Sequence, residues 1–226
     1  MKKPPLLIIT QSLDRQDKVL GFFHAWVEQF AEACERVTVI CLRHGDSALP
    51  SNVKIISLGK ERGAVARWRY AFRFFRALWR IRGSYATAFV HMNEEYVLLA
   101  GWGSRLLGVS ILFWRNHPSG SWKTRLAVRL AHVVFCTSPQ SFTARFAKTL
   151  RMPVGLAVPA VPPAGSPPAQ AFLSLGRISP VKNVHVIIEA FARAALPASA
   201  RLDVVGDPIL RPIDQAYAAR IDAAVA

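Results

Sequence analysis

Short apolar runs recur along this sequence and are separated by longer segments with helical periodicity. Six runs rich in Val, Ile and Leu occupy residues 6–10, 37–41, 53–58, 87–91, 111–114 and 133–136. Runs this short that are apolar on both faces are typical of strands in a parallel sheet covered on both sides. The segments between most of them suit crossover helices. The alternation predicts a doubly wound α/β domain, whose ligands bind beyond the carboxyl ends of the strands.

A segment rich in Pro, Gly and Ser interrupts the alternation at residues 158–170. Its composition indicates a semi-rigid connector. The pattern then restarts with an apolar run, a helix from about Asn183, a strand at residues 201–206 and an Ala-rich helix. We therefore predict an N-terminal Rossmann-like domain over residues 1–157, a linker over 158–170, and the first part of a second Rossmann-like domain over 171–226. Two strands and two helices cannot bury a sheet on both faces, so this second domain is expected to be incomplete.

The composition indicates a folded protein with an anionic partner. With 226 residues, 52% hydrophobic and 19% charged, the chain has the material for a core, which excludes global disorder. The excess of 29 basic over 14 acidic residues, a net charge of +15, favours nucleic acid, an acidic membrane surface or a phosphorylated small molecule as a partner. A generally basic, Arg-rich proteome is the alternative.

The cysteines and the hydropathy pattern indicate the cellular compartment of the protein. Cys34, Cys41 and Cys136 lie in apolar surroundings without a C-x-x-C pair, which predicts free thiols in a reducing compartment. The longest uncharged stretch contains six prolines and therefore does not suit a membrane span. The apolar run near the start is too short for a signal-peptide core. We expect a cytoplasmic protein.

Two cations lie on the short loop between the apolar run at residues 171–176 and the helix that follows. Backbone amides and the helix dipole make such a junction attractive to anions. Arg177 offers a planar fork of donors that fits phosphate oxygens, and Lys182 adds a compact charge. This combination predicts a diphosphate site. Spacing alone equally allows a solvated loop with two ordinary surface cations.

The residues around this loop carry a family resemblance. GRISPVKN at 176–183, IIEAF at 187–191 and LDVVGDP at 202–208 resemble the donor-binding segment of retaining family 4 glycosyltransferases. Those enzymes have two facing Rossmann-like domains, the arrangement called GT-B. The resemblance implies that Arg177 and Lys182, with Gly176 at the turn, hold the diphosphate of a nucleotide-sugar donor. It also implies that the two cations neutralise the leaving group as the sugar–phosphate bond breaks.

Two residues of the N-terminal part match the same family. Gly21 corresponds to the last glycine of the loop before the first helix, where a missing side chain lets the backbone approach a ligand. A simple turn glycine is the alternative. His117 follows the strand at 111–114, and the resemblance implies a catalytic position near the donor sugar. An ordinary loop histidine is the alternative.

Three polar residues at the end of the fourth predicted strand, His91, Asn93 and Glu94, are predicted to meet the acceptor. The His and Glu residues lack a recognisable metal-ligand spacing, so we expect no metal site. The resemblance likewise implies metal-independent chemistry, with no cofactor beyond the nucleotide-sugar substrate.

Residues 60–82 hold eight cations and one acid. On a helix, four arginines fall on one stripe at i, i+4, i+7 and i+11: Arg69, Arg73, Arg76 and Arg80. Four aromatics run along the adjoining face: Trp68, Phe72, Phe75 and Trp79. A basic helix with large aromatics suits the interface of an anionic membrane. The alternative is a crossover helix with its aromatics buried on the sheet and its arginines solvated. Both hold together if the aromatics face inward and the arginines face lipid head groups or a phosphorylated acceptor.

The sequence departs from the family pattern in two places. Ala157 and Pro159 stand where the family has Gly and Asp in the turn that closes the first domain. Beyond Asp207 only Asp214 and Asp222 are acidic, so the family's pair of glutamates separated by seven residues has no match. We therefore expect a truncated product, a fragment or half of a split enzyme, with weak or no transfer activity on its own.

These observations predict a glycosyltransferase that moves a sugar from a nucleotide-diphosphate donor to a glycan or lipid-linked acceptor of envelope polysaccharide or glycolipid synthesis. Retention of anomeric configuration is implied by the resemblance. The expected location is the cytoplasm, with possible peripheral contact to the inner face of the membrane. The alternative is a non-catalytic basic protein that binds anions or a membrane surface. No zinc spacing, RNP-like sequence or recognition-helix pattern indicates a nucleic-acid partner.

Overall fold

The chain divides into two compact units, Met1–Leu156 and Ala157–Ala226. A computed structural model of the protein describes residues 3–63, 65–153, 155, 170–209 and 211–225. The predicted linker at 158–170 lies outside these residues except for Gln170, as do Ala157 and Pro159.

A parallel sheet of seven strands forms the centre of the first unit. The strands are β1 Leu6–Leu13, β2 Val37–His44, β3 Val53–Ser57, β4 Thr87–His91, β5 Ser110–Trp114, β6 Val133–Cys136 and β7 Thr149–Arg151. Their order is β3-β2-β1-β4-β5-β6-β7, so the strand order reverses between β1 and β4. The predicted doubly wound α/β fold is confirmed, and each of the six apolar runs forms a strand. β7 was not predicted, because its three residues form no apolar run and two of them are exposed.

In the described part of the first unit, four helices cover the two faces of this sheet. They are α1 Phe22–Ala33, α2 Arg67–Arg80, α3 Glu94–Leu106 and α4 Trp122–Leu130, with short 3-10 turns at Lys60–Arg62 and Phe142–Arg145. Alternate side chains of β1 enter different cores. Leu7 and Ile9 belong to the core that contains residues of α2, α3 and α4. Leu6 and Ile8 belong to the core that contains residues of α1.

Helix α2 presents its aromatic stripe to solvent, so of the two alternatives the one that buries these rings on the sheet is contradicted. Phe74 and Ala77 are the buried residues of the helix. Trp68, Phe72, Phe75 and Trp79 are exposed by 66%, 62%, 47% and 68%. A helix turns about 100° per residue, so the four rings lie about 100° to 160° around the axis from Phe74. Phe74 and Ala77, with partly buried neighbours, occupy the side that packs on the core, which turns the four rings outward.

The second unit is smaller. Strands β8 Ala171–Leu175 and β9 Arg201–Val205 pair in parallel, accompanied by α5 Val184–Arg193, α6 Pro212–Val225 and a 3-10 turn at Pro180–Lys182. Its buried cluster consists of Val184, Tyr217 and Ile221 with partly buried neighbours. The predicted helix from about Asn183 is confirmed, since Asn183 is the residue that precedes α5.

The three cysteines are free and buried, as the sequence predicts. Burial, with a smaller contribution from Glu61, raises the pKa of the Cys41 thiol to about 12. Among the described residues, no helix combines the length and the apolar character needed to cross a bilayer.

The orientation of α2 gives a direct stability test. We expect Phe74→Ala to lower the free energy of unfolding by about 3–5 kcal/mol, because it leaves a cavity in the core. Phe72→Ala, which truncates a solvent-exposed ring on the same helix, is the matched control and should stay within about 0.5 kcal/mol of the unchanged chain. Urea unfolding followed by circular dichroism measures both. Equal losses from the two variants would contradict the orientation.

Candidate functional site

The loop between β1 and α1 is braced by two aspartates. Asp17 Oδ1 accepts hydrogen bonds from the backbone N–H groups of Val19 and Leu20, each at 2.9 Å. Arg43 Nη2 lies 3.3 Å from Asp14 Oδ2 and 3.5 Å from Asp17 Oδ2. Burial opposes ionisation of Asp17, but these hydrogen bonds and the Arg43 charge hold the pKa of its carboxyl below the usual range. The loop is therefore fixed at the carboxyl end of the sheet by its own aspartates and by Arg43 of β2.

Gly21 closes this loop and precedes the first residue of α1. A Cβ atom placed on Gly21 would lie 2.7 Å from the carbonyl oxygen of Asp17 and 2.8 Å from that of Arg15. The loop's own backbone thus excludes a side chain here. Packing alone therefore explains why position 21 is a glycine, whether or not a ligand binds. Its contact with a donor stays a prediction.

His91, the last residue of β4, is buried, with 1% of its surface exposed. Its ring stacks on Phe23 with centroids 3.9 Å apart, and its Nδ1 lies 3.2 Å from Thr10 Oγ1. Its Nε2 is buried and has no hydrogen-bond partner in the part of the chain described here. Burial lowers the pKa of His91 to about 3, so the ring is neutral at neutral pH. Contact with an acceptor stays a prediction, and it requires the covering rings to move.

Asn93 lies where the strand order reverses, which is the usual ligand position in this architecture. Its Nδ2 donates to Gln11 Oε1 at 3.2 Å, so two amide side chains meet across the ends of β1 and β4. The sequence reasoning missed Gln11, which directly follows the first apolar run. Position after a predicted strand, the signal used for Asn93, identifies it as well.

Glu94 is engaged in an ion pair at the start of α3. Its Oε2 lies 2.7 Å from Arg115 Nε, and the two side chains are 15% and 11% exposed. Thr124 Oγ1 donates to Glu94 Oε1 at 3.1 Å, and Arg115 Nη1 donates to the Ser119 carbonyl at 2.9 Å. The carboxylate thus ties α3, the β5–α4 loop and α4 together. Its predicted role toward an acceptor stays a prediction, whereas Arg115, which directly follows β5, was missed.

His117 is exposed on the loop between β5 and α4. The Ser119 N–H donates to His117 Nδ1 at 3.1 Å, and the His117 carbonyl accepts from the Phe142 N–H at 2.8 Å. The neighbouring Asn116 Oδ1 accepts from the N–H groups of Thr137 and Ser138, which joins this loop to the end of β6. The structure therefore places His117 on a braced loop at the same edge as Asn93 and Glu94.

In the second unit, Gly176 and Gly206 end the paired strands β8 and β9. Both have positive φ angles, +154° and +153°. A Cβ atom on Gly206 would lie 1.8 Å from the Gly176 carbonyl oxygen, so the two chain segments approach too closely for a side chain there. The sequence pattern singled out Gly176, and the Val-Gly-Asp end of the second strand carries the corresponding signal for Gly206.

Arg177 and Lys182 lie on the connection between β8 and α5. Lys182 is exposed and Arg177 is partly buried, and neither side chain forms a hydrogen bond or ion pair with the residues described here. Lys182 ends the 3-10 turn, and Asn183, with φ +51°, leads into α5. Both predicted cations thus stand between a strand's carboxyl end and a helix N-terminus.

Metal ligands do not cluster in the described parts of the chain. No group of three or more His, Cys, Asp or Glu residues there could hold an ion.

Comparisons with known proteins identify the fold. A scan of protein-family models and a search of curated proteins each gave no match to this sequence. Among solved structures, MurG of Acinetobacter baumannii aligns over 95% of this chain and 71% of its own, with a TM-score of 0.50 and 13% identity. UDP-GlcNAc 2-epimerase of Methanocaldococcus jannaschii aligns over 60% of this chain with a TM-score of 0.41 and 9% identity. This chain spans 40% of the epimerase's length.

The chain has an α/β fold of the GT-B type. Its seven-stranded parallel sheet with helices on both faces is the Rossmann-like domain of that fold. At 13% identity, the similarity to MurG establishes the fold and no activity.

The burial of His91 predicts that the folded state loses stability at acidic pH. In the unfolded chain His91 takes up a proton below about pH 6.5, whereas in the folded chain it stays neutral until about pH 3. The unfolded state therefore binds more protons in this window, and stability falls as the pH falls. Between about pH 7 and pH 5 this contributes a loss of about 2 kcal/mol.

Urea unfolding at both pH values measures this loss. We expect His91→Phe, which keeps an aromatic ring on Phe23, to lose about 2 kcal/mol less over that interval than the unchanged chain. Phe72→Ala, which truncates an exposed ring and removes no ionisable group, is the control and should leave the pH dependence unchanged. A His91→Phe variant with the full pH dependence would show that His91 titrates normally.

Proposed function

We propose that this protein is a glycosyltransferase that binds a nucleotide-sugar donor through the loop at residues 176–183. The observation that carries the proposal is the pair Arg177 and Lys182, two cations without protein partners among the described residues, at a strand–helix junction. Cations that the protein leaves unpaired are available to an anionic ligand. The GRISPVKN sequence at this junction, with its resemblance to retaining family 4 glycosyltransferases, supports a diphosphate as that ligand.

The proposed chemistry is stabilisation of a departing diphosphate. As the bond between sugar and phosphate breaks, negative charge grows on the phosphate oxygens, and nearby cations interact with it more strongly than with the ground state. Arg177 supplies a planar fork of donors, and Lys182 a compact charge at the start of α5. The glycines at 176 and 206 keep the ends of β8 and β9 free of side chains. Retention of configuration belongs to the same proposal and rests on the resemblance.

The acceptor is proposed to meet the first unit at the edge that carries His117, Asn93 and Glu94. His117 is exposed there on a braced loop, which suits a side chain that contacts the reacting sugar. Gly21 and His91 would support this edge through packing. A glycan or a lipid-linked molecule of envelope synthesis is the acceptor class that we propose, with the enzyme at the cytoplasmic face of the membrane and no cofactor beyond the donor.

A second function, non-catalytic binding of an anionic surface, is favoured by a different observation. The outward side of α2 carries exposed arginines and aromatics, and none of these residues belongs to the proposed donor loop. A protein with this function alone would bind an anionic surface without affinity for nucleotide sugars. Nucleotide-sugar titration therefore separates the two functions.

Substitution of the two cations in the loop at residues 176–183 tests the proposed donor binding. We expect Arg177→Ala and Lys182→Ala each to weaken nucleotide-diphosphate-sugar binding about 10-fold to 100-fold, because each removes a charged hydrogen-bond donor. Isothermal titration calorimetry with UDP-sugars and GDP-sugars measures the affinities and identifies the preferred nucleotide.

Arg193→Ala is the matched control, because Arg193 is an exposed cation in the last turn of α5, at the opposite end of that helix. It should keep the unchanged affinity. The proposal fails if the unchanged chain binds neither nucleotide sugar, or if all three variants lose affinity equally.

A further inference from the structure

The outward side of α2 carries two parallel stripes of different chemistry. The aromatic stripe consists of Trp68, Phe72, Phe75 and Trp79, and the arginine stripe consists of Arg69, Arg73, Arg76 and Arg80. Each arginine directly follows one aromatic, so the stripes lie about 100° apart around the helix axis. Phe74, the buried anchor of the helix, lies on the opposite side from both. The side of α2 that faces away from the core is therefore half aromatic and half cationic.

The four rings of the aromatic stripe are largely exposed to solvent and take no part in the core. Its four rings are 47% to 68% exposed, and they follow one another along the same side of the helix. Contiguous apolar surface of this kind marks an interaction site. The cations remain next to the rings, since the guanidinium of Arg69 lies 5.4 Å from the Trp68 ring and that of Arg82 lies 4.2 Å from the Trp79 ring.

The arginine stripe borders a groove between α2 and β3, with a volume of about 310 Å³. Lys54, Arg73, Arg76 and Arg80 line it together with the hydroxyl-bearing Ser57 and aliphatic side chains. Among the described residues, none that lines the groove carries a carboxylate. The Ser57 hydroxyl donates one bifurcated hydrogen bond to the two carboxylate oxygens of Glu61, at 2.8 and 2.9 Å, but Glu61 is not a lining residue. None of the four α2 arginines forms an ion pair with an acid in the described ranges.

We propose that α2 docks this protein onto an anionic lipid bilayer. The aromatic stripe inserts at the level of the lipid head groups, the arginine stripe contacts their phosphates, and the groove beside β3 holds one head-group phosphate. Helices with cations on one side and Trp and Phe on the other bind bilayers in this way. This goes beyond sugar transfer and does not depend on nucleotide-sugar binding.

A bilayer fits this surface better than a nucleic acid does. Proteins that bind single strands combine a cationic groove that tracks the backbone with rings on which successive bases stack. Here the rings lie outside the groove, on the convex side of a helix, and all four point away from the core. Because the four rings lie in one row on the outer side of a helix, all of them can insert together into a flat, fluid bilayer interface.

Vesicle flotation tests the proposal. The unchanged chain should bind vesicles of phosphatidylglycerol mixed with phosphatidylcholine, bind phosphatidylcholine vesicles at least about tenfold more weakly, and lose affinity at high salt. Each arginine near an anionic surface strengthens binding about fivefold, so Arg76→Glu with Arg80→Glu should weaken it at least about 25-fold. Trp68→Ser with Trp79→Ser removes apolar contact without changing charge and should weaken binding at least about tenfold.

Two controls match these variants. Arg193→Glu with Arg220→Glu makes the same change in net charge in the second unit, and Leu150→Ser with Leu173→Ser removes exposed apolar side chains outside α2. Both should bind within about twofold of the unchanged chain, and unchanged thermal unfolding confirms that every variant is folded.

Equal binding to both kinds of vesicle, full binding by the tryptophan variant, or equal losses in the controls would each overturn the proposal. Retention of single-stranded DNA with no vesicle binding would identify a nucleic-acid surface instead.

Discussion

The central parallel sheet, buried on both faces, is the constraint on which the rest of the first unit depends. β1 contributes Leu7 and Ile9 to one core and Leu6 and Ile8 to the other, so a single strand joins both layers of helices. Because all seven strands are parallel, their carboxyl ends meet at one edge. The register pairs His91 with Trp114, which brings the residues that follow β4 and β5 side by side. The pairing of the apolar runs thus brings together the polar residues that follow the carboxyl ends of these strands.

The strands and the edge were predictable because they depend on local patterns. Apolar runs of four to six residues identify buried strands regardless of what covers them. The residues that follow those runs include His117 and Asn93. Position after a predicted strand also identifies Gln11 and Arg115. What the sequence did not reveal depends on long-range packing. The pairing of Glu94 with Arg115 and the burial of His91 under Phe23 join segments that are distant along the chain.

The orientation of α2 shows a different limit. Helical periodicity places Trp68, Phe72, Phe75 and Trp79 on one side, but periodicity alone does not say which side meets the sheet. The sequence left both orientations open, and in the structure the core takes Phe74 and Ala77. Apolar content is therefore a weaker guide to burial when a helix carries apolar residues on two sides, and surplus apolar surface is itself a sign of a binding surface.

The burial of all three cysteines has a practical consequence for studying this protein. Cys34, Cys41 and Cys136 are shielded from solvent, and burial keeps the thiols of Cys34 and Cys41 protonated by raising their pKa values. The thiolate is the form that reacts with maleimides and iodoacetamides. A cysteine introduced on an exposed surface would thus accept a fluorophore or a spin label selectively, without removal of the native thiols. Distances and immersion depths become measurable in the otherwise unaltered chain.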